Sequence, residues 1–304
     1  MDITASILAE AVKAGTPLML ATLGEVYCER SGVLNLGLDG VMTIGALTGF
    51  VATLVTGSVW IGLVSAMIAG GLFSLIHAFT SISLGANQTV SGLALAMLGT
   101  GVSSLLGAKY VGQPLTDRLP VLQIPVLSEI PFAGGFFCHD PVMYLGMVLS
   151  IAMWFILFKT RLGIVIRTVG EKPEAADAAG VNVYLIRYLC VFLGGMLGGL
   201  GGAYVTLSYT PGWREGVMMG RGWIALALTI FSLWNPIGSM LGAFLFGGVE
   251  VLQFHLQEYG VPASLLGALP YVATIIVLAV SSIGFMKKRL GAPAALGSPY
   301  RREG

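Results

Sequence analysis

The chain has 304 residues, of which 56% are hydrophobic and only 10% charged, with a formal net charge of +1. A soluble domain carries about 25% charged residues and must wet its surface somewhere, yet there is no Asp, Glu, Lys or Arg between Asp39 and Lys109. Composition thus excludes a soluble domain and a basic nucleic-acid binder, and points to lipid, where a charge at the bilayer centre costs roughly 2.5–3.5 kcal/mol on insertion scales.

A spanning helix needs about 20 mainly apolar residues. In chain order, segments 4–23, 40–57, 59–80, 88–107, 141–158, 187–209, 222–238, 240–256 and 265–285 fit that requirement. The chain therefore reads as an all-α polytopic membrane protein with about eight to ten transmembrane helices. Residues 1–285 form one transmembrane domain, and the Gly/Pro/Arg-rich tail 286–304 is expected to lack fixed structure. The first ten residues hold two acids and no cationic flank, unlike a cleavable signal peptide.

Two stretches, 24–39 and 210–221, contain glycine, are amphipathic and are too short to cross. They are expected as broken or re-entrant elements, which membranes tolerate only where they line a cavity or are buried in protein. Gly40 and Gly238 open similar small-residue runs, each after an Asn-bearing turn (Asn35 and Asn235). This echo suggests an internal inverted repeat. Lys159, Arg161, Arg167, Lys172 and Arg187, with the basic tail, put 159–187 and the C-terminus in the cytoplasm. Counting crossings then puts 108–140 and the N-terminus outside.

Three constellations stand out. The stretch 24–39 gathers Glu25, Glu29, Arg30, Asn35 and Asp39 between apolar segments. A solvated connector could look like this. A broken helix would instead turn its free backbone groups and N-terminal dipole towards a cavity. In the basic loop, Pro173 starts a short helix, Glu174 suits its N-terminus and Gly180 stops it. Ala175, Ala176, Ala178 and Ala179 give that helix a face small enough to enter a groove on another protein. Around Trp213, Arg214, Glu215, Arg221 and Trp223, an aromatic-belt anchor is the simple reading.

Asn87, Gln88, Ser91, Trp234, Asn235, Glu250 and His255 lie in or at the edges of spans. Amides offer both donor and acceptor and suit uncharged hydroxyls and heterocycle edges. The glycines from Gly194 to Gly202 serve close helix packing. Cys28, Cys138 and Cys190 lack metal-ligand or disulfide spacing, so no metal site and no cofactor on this chain are expected. No phosphate-binding loop of the G-x-x-x-x-G-K-[ST] kind is present. No catalytic residue is assigned: H-E-x-x-H, G-x-S-x-G and paired in-membrane aspartates are all missing.

Four blocks in order, Glu29 to Gly40, Asn87 to Leu95, Arg167 to Gly180, and Gly220 to Ala227 followed by Trp234 to Gly238, resemble branched-chain amino-acid, simple-sugar and nucleoside ABC importer permeases. The likeness is strongest to the shorter of two permeases in bacterial nucleoside uptake systems. One departure is the loop at Ser83 to Ala86, which lacks expected basic residues. The resemblance implies a permease subunit, not an enzyme, carrying nucleosides or related simple sugars through a bacterial inner membrane. It implies an ATP-binding partner subunit that holds ATP and Mg, a second, longer permease and an external substrate-binding lipoprotein. Carried across, Asn35, Asp39, Asn87, Gln88, Ser91, Trp234 and Asn235 would line the translocation path. Gly170, Glu171, Pro173, Glu174, Ala175, Ala176, Ala179 and Gly180 would contact the ATPase. The competing class is an ion-coupled secondary transporter, which needs mid-membrane titratable groups that the charge-free region hardly supplies.

Overall fold

The computed structural model describes residues 3–301 except 116, 126–127, 129, 131–132, 219, 258–262, 267 and 282–291. Its helices are α1 (Ile3–Arg30), α2 (Leu38–Thr56), α3 (Val59–Ala78), α4 (Gln88–Gly107), α5 (Pro141–Lys159), α6 (Arg161–Glu171) and α7 (Pro173–Ala178). They continue with α8 (Val183–Tyr204), α9 (Arg221–Phe231), α10 (Pro236–Gln257), α11 (Ala263–Leu266) and α12 (Leu269–Ser281). A π turn extends α3 over Phe79–Ser83 and another extends α8 over Val205–Tyr209. Among the described residues the only sheet is a two-residue pairing of β1 (Leu122–Gln123) with β2 (Cys138–His139), antiparallel, Leu122 opposite His139.

Seven of these helices are long and apolar enough to cross a membrane. They account for seven of the nine expected spans. Segment 222–238 is a correction: it holds the 11-residue α9, a break, and the start of α10. The chain stops there because Leu233 and Trp234 take positive φ (58° and 54°), and the Trp234 amide closes back on the Thr229 carbonyl at 3.1 Å. Segment 265–285 holds the end of α11 and the 13-residue α12, and its last residues, 282–285, lie outside the described residues. The break expected somewhere in 24–39 is confined to 31–37. Glu25, Glu29 and Arg30 belong to the last turns of α1.

Glycine sets how closely α1, α2, α3 and α8 approach. A methyl on Gly24 would lie 2.6 Å from the Gly194 carbonyl oxygen, and one on Gly70 would lie 2.8 Å from the Gly199 Cα. On α2, a methyl at Gly45 would run into Gly199, and one at Gly202 would run into the Met42 carbonyl. The backbones touch, as small-residue faces allow in membranes. The outer faces of α3, α4 and α5 are apolar and open: Met97 is 79% and Leu105 78% exposed.

Using α8 as a ruler places the breaks in depth. The Cys28 thiol reaches the Cys190 carbonyl at 3.4 Å, so the end of α1 lies level with Cys190. Leu38 instead packs on Gly198, eight residues further along α8, which is about 12 Å at helical rise. The 31–37 segment therefore climbs back into the bundle, and α2 starts near its middle. The Gly222 amide donates to Asp39 Oδ1 at 2.9 Å, so α9 starts at the same depth. Eleven residues carry α9 roughly 16 Å, to a break where Arg30 holds the Trp234 and Leu233 carbonyls (3.3 and 3.2 Å).

The tail departs most from expectation. Residues 292–301 lie against the bundle through buried Pro293 and Tyr300, the latter beside Val169, Ala176 and Val183, while most of the segment stays exposed. The rest of the segment expected to be disordered, 286–291 and 302–304, lies outside the described residues.

Candidate functional site: two half-helices and an exposed short helix

Glu25 and Asn35 serve the 31–37 break itself, whereas Glu29 and Arg30 reach across to residues 233–234 and Asp39 reaches the α9 start. Chain that leaves the helix inside a membrane must find partners for its amides and carbonyls. Here the Leu34 amide donates to Gln88 Oε1 at 2.7 Å, and Gln88 Nε2 donates to the Gly32 carbonyl at 3.4 Å. The Asn35 amide donates to Glu25 Oε1 at 3.1 Å, and Asn35 Oδ1 accepts from the Gly37 amide at 3.1 Å. His77 Nε2 stands 3.1 Å from the Leu34 carbonyl. A carbonyl only accepts, so Nε2 carries the hydrogen, and Nδ1 meets Ser91 Oγ at 3.0 Å. His77 escaped the sequence reading. Its signal was available as the one imidazole in an otherwise charge-free run.

The seven residues expected on the path fall into three groups. Asn35, Gln88 and Ser91 gather around the 31–37 break, with Asn35 and Gln88 each 1% exposed. Asn87 is exposed and caps α4 through the Val90 amide; with Ser91 it lines a hollow of about 390 Å3 on the outer side of α3 and α4. Trp234 is buried with its Nε1 donating to Glu29 Oε2, and Asn235 caps α10 through the Ile237 amide at 3.0 Å. Asp39 stands apart at mid-depth, half-buried, where the N-termini of α2 and α9 meet. Asn35 and Asn235 thus differ: Asn35 accepts from the Gly37 amide in the turn before α2, whereas Asn235 caps α10 directly.

At that mid-depth junction helix N-termini present unpaired amides and partial positive charge. Asp39 answers the α9 terminus. Beside it, Arg221 makes an ion pair with Glu250, and Tyr209 OH donates to the same carboxylate oxygen at 3.2 Å. Arg221 Nη1 also reaches the Val217 and Met218 carbonyls (3.3 and 3.4 Å) of the irregular stretch before α9. Arg221 and Glu250 offset each other, and Asp39 is the further acid at this junction. The pairing was invisible in sequence because 29 residues separate the partners. Tyr209 was not singled out at all. A separate hollow of about 500 Å3 between α2 and α4 is lined by Leu47, Thr48, Val51, Lys109 and Tyr110, and by none of the expected path residues.

The basic loop folds into α6 and α7. Ala175 and Ala179 face outward with Glu171, Glu174 and Gly180, whereas Pro173 and Ala176 point inward. The four-alanine face is corrected accordingly: Ala176 is the floor and Ala175, Ala178 and Ala179 are the open surface. Gly180 takes φ of 83°, which ends α7. Gly170 presses against the end of α1, since a methyl there would strike the Arg30 carbonyl and come 3.2 Å from the Gly32 amide. The open face of α7 is therefore one contact removed from the 31–37 break.

The family of permease components of branched-chain amino acid transport systems matches residues 7–278. The chain belongs to this permease family. It is 41% identical to the guanosine ABC transporter permease protein NupQ of Bacillus subtilis, over 93% of this chain and 92% of the relative. It is 37% identical to the nucleoside ABC transporter permease protein NupC of Lactococcus lactis, over 97% and 96%. A Haloferax volcanii protein, provisionally named as the glucose ABC transporter permease protein TsgC13, is 39% identical over 100% and 99%. An inward-facing, provisionally assigned metal-chelate type ABC transporter shares the fold, with a TM-score of 0.54 at 17% identity over 90% of this chain and 85% of that one. The chain is a multi-pass membrane permease, a transport component.

Proposed function

We propose that this permease is one membrane subunit of an ATP-binding-cassette importer for nucleosides or related simple sugars in a bacterial inner membrane. ATP and Mg sit on a separate ATP-binding subunit that takes the open face of α7, built from Ala175, Ala178 and Ala179 with Glu171, Glu174 and Gly180. A second, longer permease completes the path. B. subtilis offers a parallel, since its NupP and NupQ are both similar to this chain, at 25% and 41% identity. An external binding lipoprotein delivers the solute to the face that carries 108–140. Motion of α7 passes through Gly170 to the 31–37 break and shifts the α2 and α9 termini around Asp39. Asn35, Gln88, Ser91, Trp234 and Asn235 act in this scheme by holding the moving joints.

The observation that carries the reading is a small-residue helix, open to a partner, that follows directly on Gly170 of α6, which presses on a helix break inside the bundle. The test co-purifies the tagged chain from native membranes and measures ATP-dependent nucleoside uptake in proteoliposomes. Recovery of an ATPase and a second permease, with uptake requiring ATP, is the expected result. Ala175→Glu with Ala179→Glu adds charge on the open face only; uptake should fall at least tenfold, within the range of coupling energies between sites, with insertion unchanged. Normal uptake by that variant, or ATP-independent transport by the chain alone, would sink the proposal.

A further inference from the structure

The C-terminal segment contacts α6, α7, α8 and the cluster beside the α9–α10 break. The Ala295 amide donates to the Gly170 carbonyl at 2.9 Å, and the Ala294 amide donates to Glu171 Oε2 at 3.3 Å. Arg187, 1% exposed on α8, donates from Nε to the Ser31 carbonyl (3.2 Å) and from Nη1 to the Ser298 carbonyl (3.4 Å). One guanidinium thus clips the tail to the first residue after α1. Tyr300 stacks near Tyr184 with ring centroids 5.7 Å apart and lies under Arg187. Leu296 packs on the cluster of Tyr27, Ile166, Cys190 and Trp234, which joins α1 to the α9–α10 break.

The length of α7 makes this contact matter. Six residues cannot hold a helix alone, so its orientation is set by what lies beneath it. Its buried side chains are Pro173 and Ala176, and the floor under Ala176 consists of Val169, Val183 and the tail's Tyr300. Tyr300 is the buried aromatic of that floor, with Tyr184 packed beside it, and brings a large buried area.

We infer that residues 292–301 form a strap that fixes α7 to the 31–37 break, so that displacement of α7 reaches the half-helices instead of dissipating in a loose loop. This rests on the coupling reading above. Tyr300, Leu296 and Arg187 are its positioning residues; none touches the solute.

The strap is tested in the complete reconstituted importer by deleting 292–304 and, separately, by Tyr300→Ala. Assembly and ATP hydrolysis should persist while solute moved per ATP falls about tenfold in the deletion, and less in Tyr300→Ala. Hydrogen exchange of the permease alone should quicken at residues 168–178 and 31–37. Unchanged transport per ATP overturns the strap, as does loss of the ATPase from the deleted complex, which would make the tail an assembly element. Unchanged exchange at 168–178 overturns it too. The exchange measurement needs neither ATP nor partner. It therefore still judges the strap if wild-type uptake proves independent of ATP and the importer reading fails.

Discussion

The two interruptions in the bundle, at 31–37 and at 232–235, solve one problem in different ways. Both release backbone groups where water is scarce. The first is held by side chains distant in sequence: Gln88 from α4, His77 from α3 and Glu25 from α1 bind its amides and carbonyls. The second is held mainly by its own geometry, two residues at positive φ and a closed turn, with Glu29 and Arg30 as outside clamps. The first joint depends on packing among three helices. The second is a local corner clamped to the end of α1.

If this contrast is right, the largest effect of substitution belongs to the first joint. Gln88→Leu leaves the Leu34 amide and the Gly32 carbonyl buried without partners, and should cost about 3 kcal/mol at 1–3 kcal/mol per orphaned group. Thermal unfolding of the detergent-solubilised permease would read this, and an unchanged midpoint would mean the joint is held otherwise. Trp234→Phe keeps the ring in its cluster but removes the donor to Glu29, so about 1.5 kcal/mol is expected. A larger loss than for Gln88→Leu would reverse the comparison.

The smallest effect lies outside the spans, at His139. Burial holds its imidazole below the ordinary 6.5, while the neighbouring Asp140 carboxylate pulls the other way. A folded-state value below the unfolded one means the unfolded chain binds the extra proton first. Stability is then level above the ordinary histidine range and declines as pH falls through it. Unfolding at about pH 7.5 and about pH 5 should show that decline, and His139→Gln should flatten it. An identical decline in the variant would assign it to another group.

The tail shows why some of the fold could not be read from sequence. Its residues from Ala292 to Tyr300 are alanine, glycine, proline and serine with one leucine and one tyrosine, a composition that cannot build a core of its own. It is ordered because α6, α7 and α8 leave a slot for Tyr300. Ala176 teaches the same lesson on a smaller scale. Spacing placed it on a face with Ala175, Ala178 and Ala179, but which side of a six-residue helix is buried depends on its neighbours. Glu25, Asn35 and Gln88 were legible as functional polar residues. That they bind backbone rather than stand free was not, because 54 residues separate Leu34 from Gln88.

By itself the sequence determined the membrane class, most of the spans, the interrupted character of 24–39 and 210–221, the glycine-lined helix contacts and the short helix of the basic loop. Each follows from local chemistry: apolar run length, turn residues, and the absence of Cβ atoms where backbones meet. Tertiary structure alone decided that α2 and α9 begin at one depth, that Arg221 finds Glu250 beside Asp39, and that the tail packs beneath α7. Those depend on distances between segments far apart in the chain, which periodicity and composition do not encode.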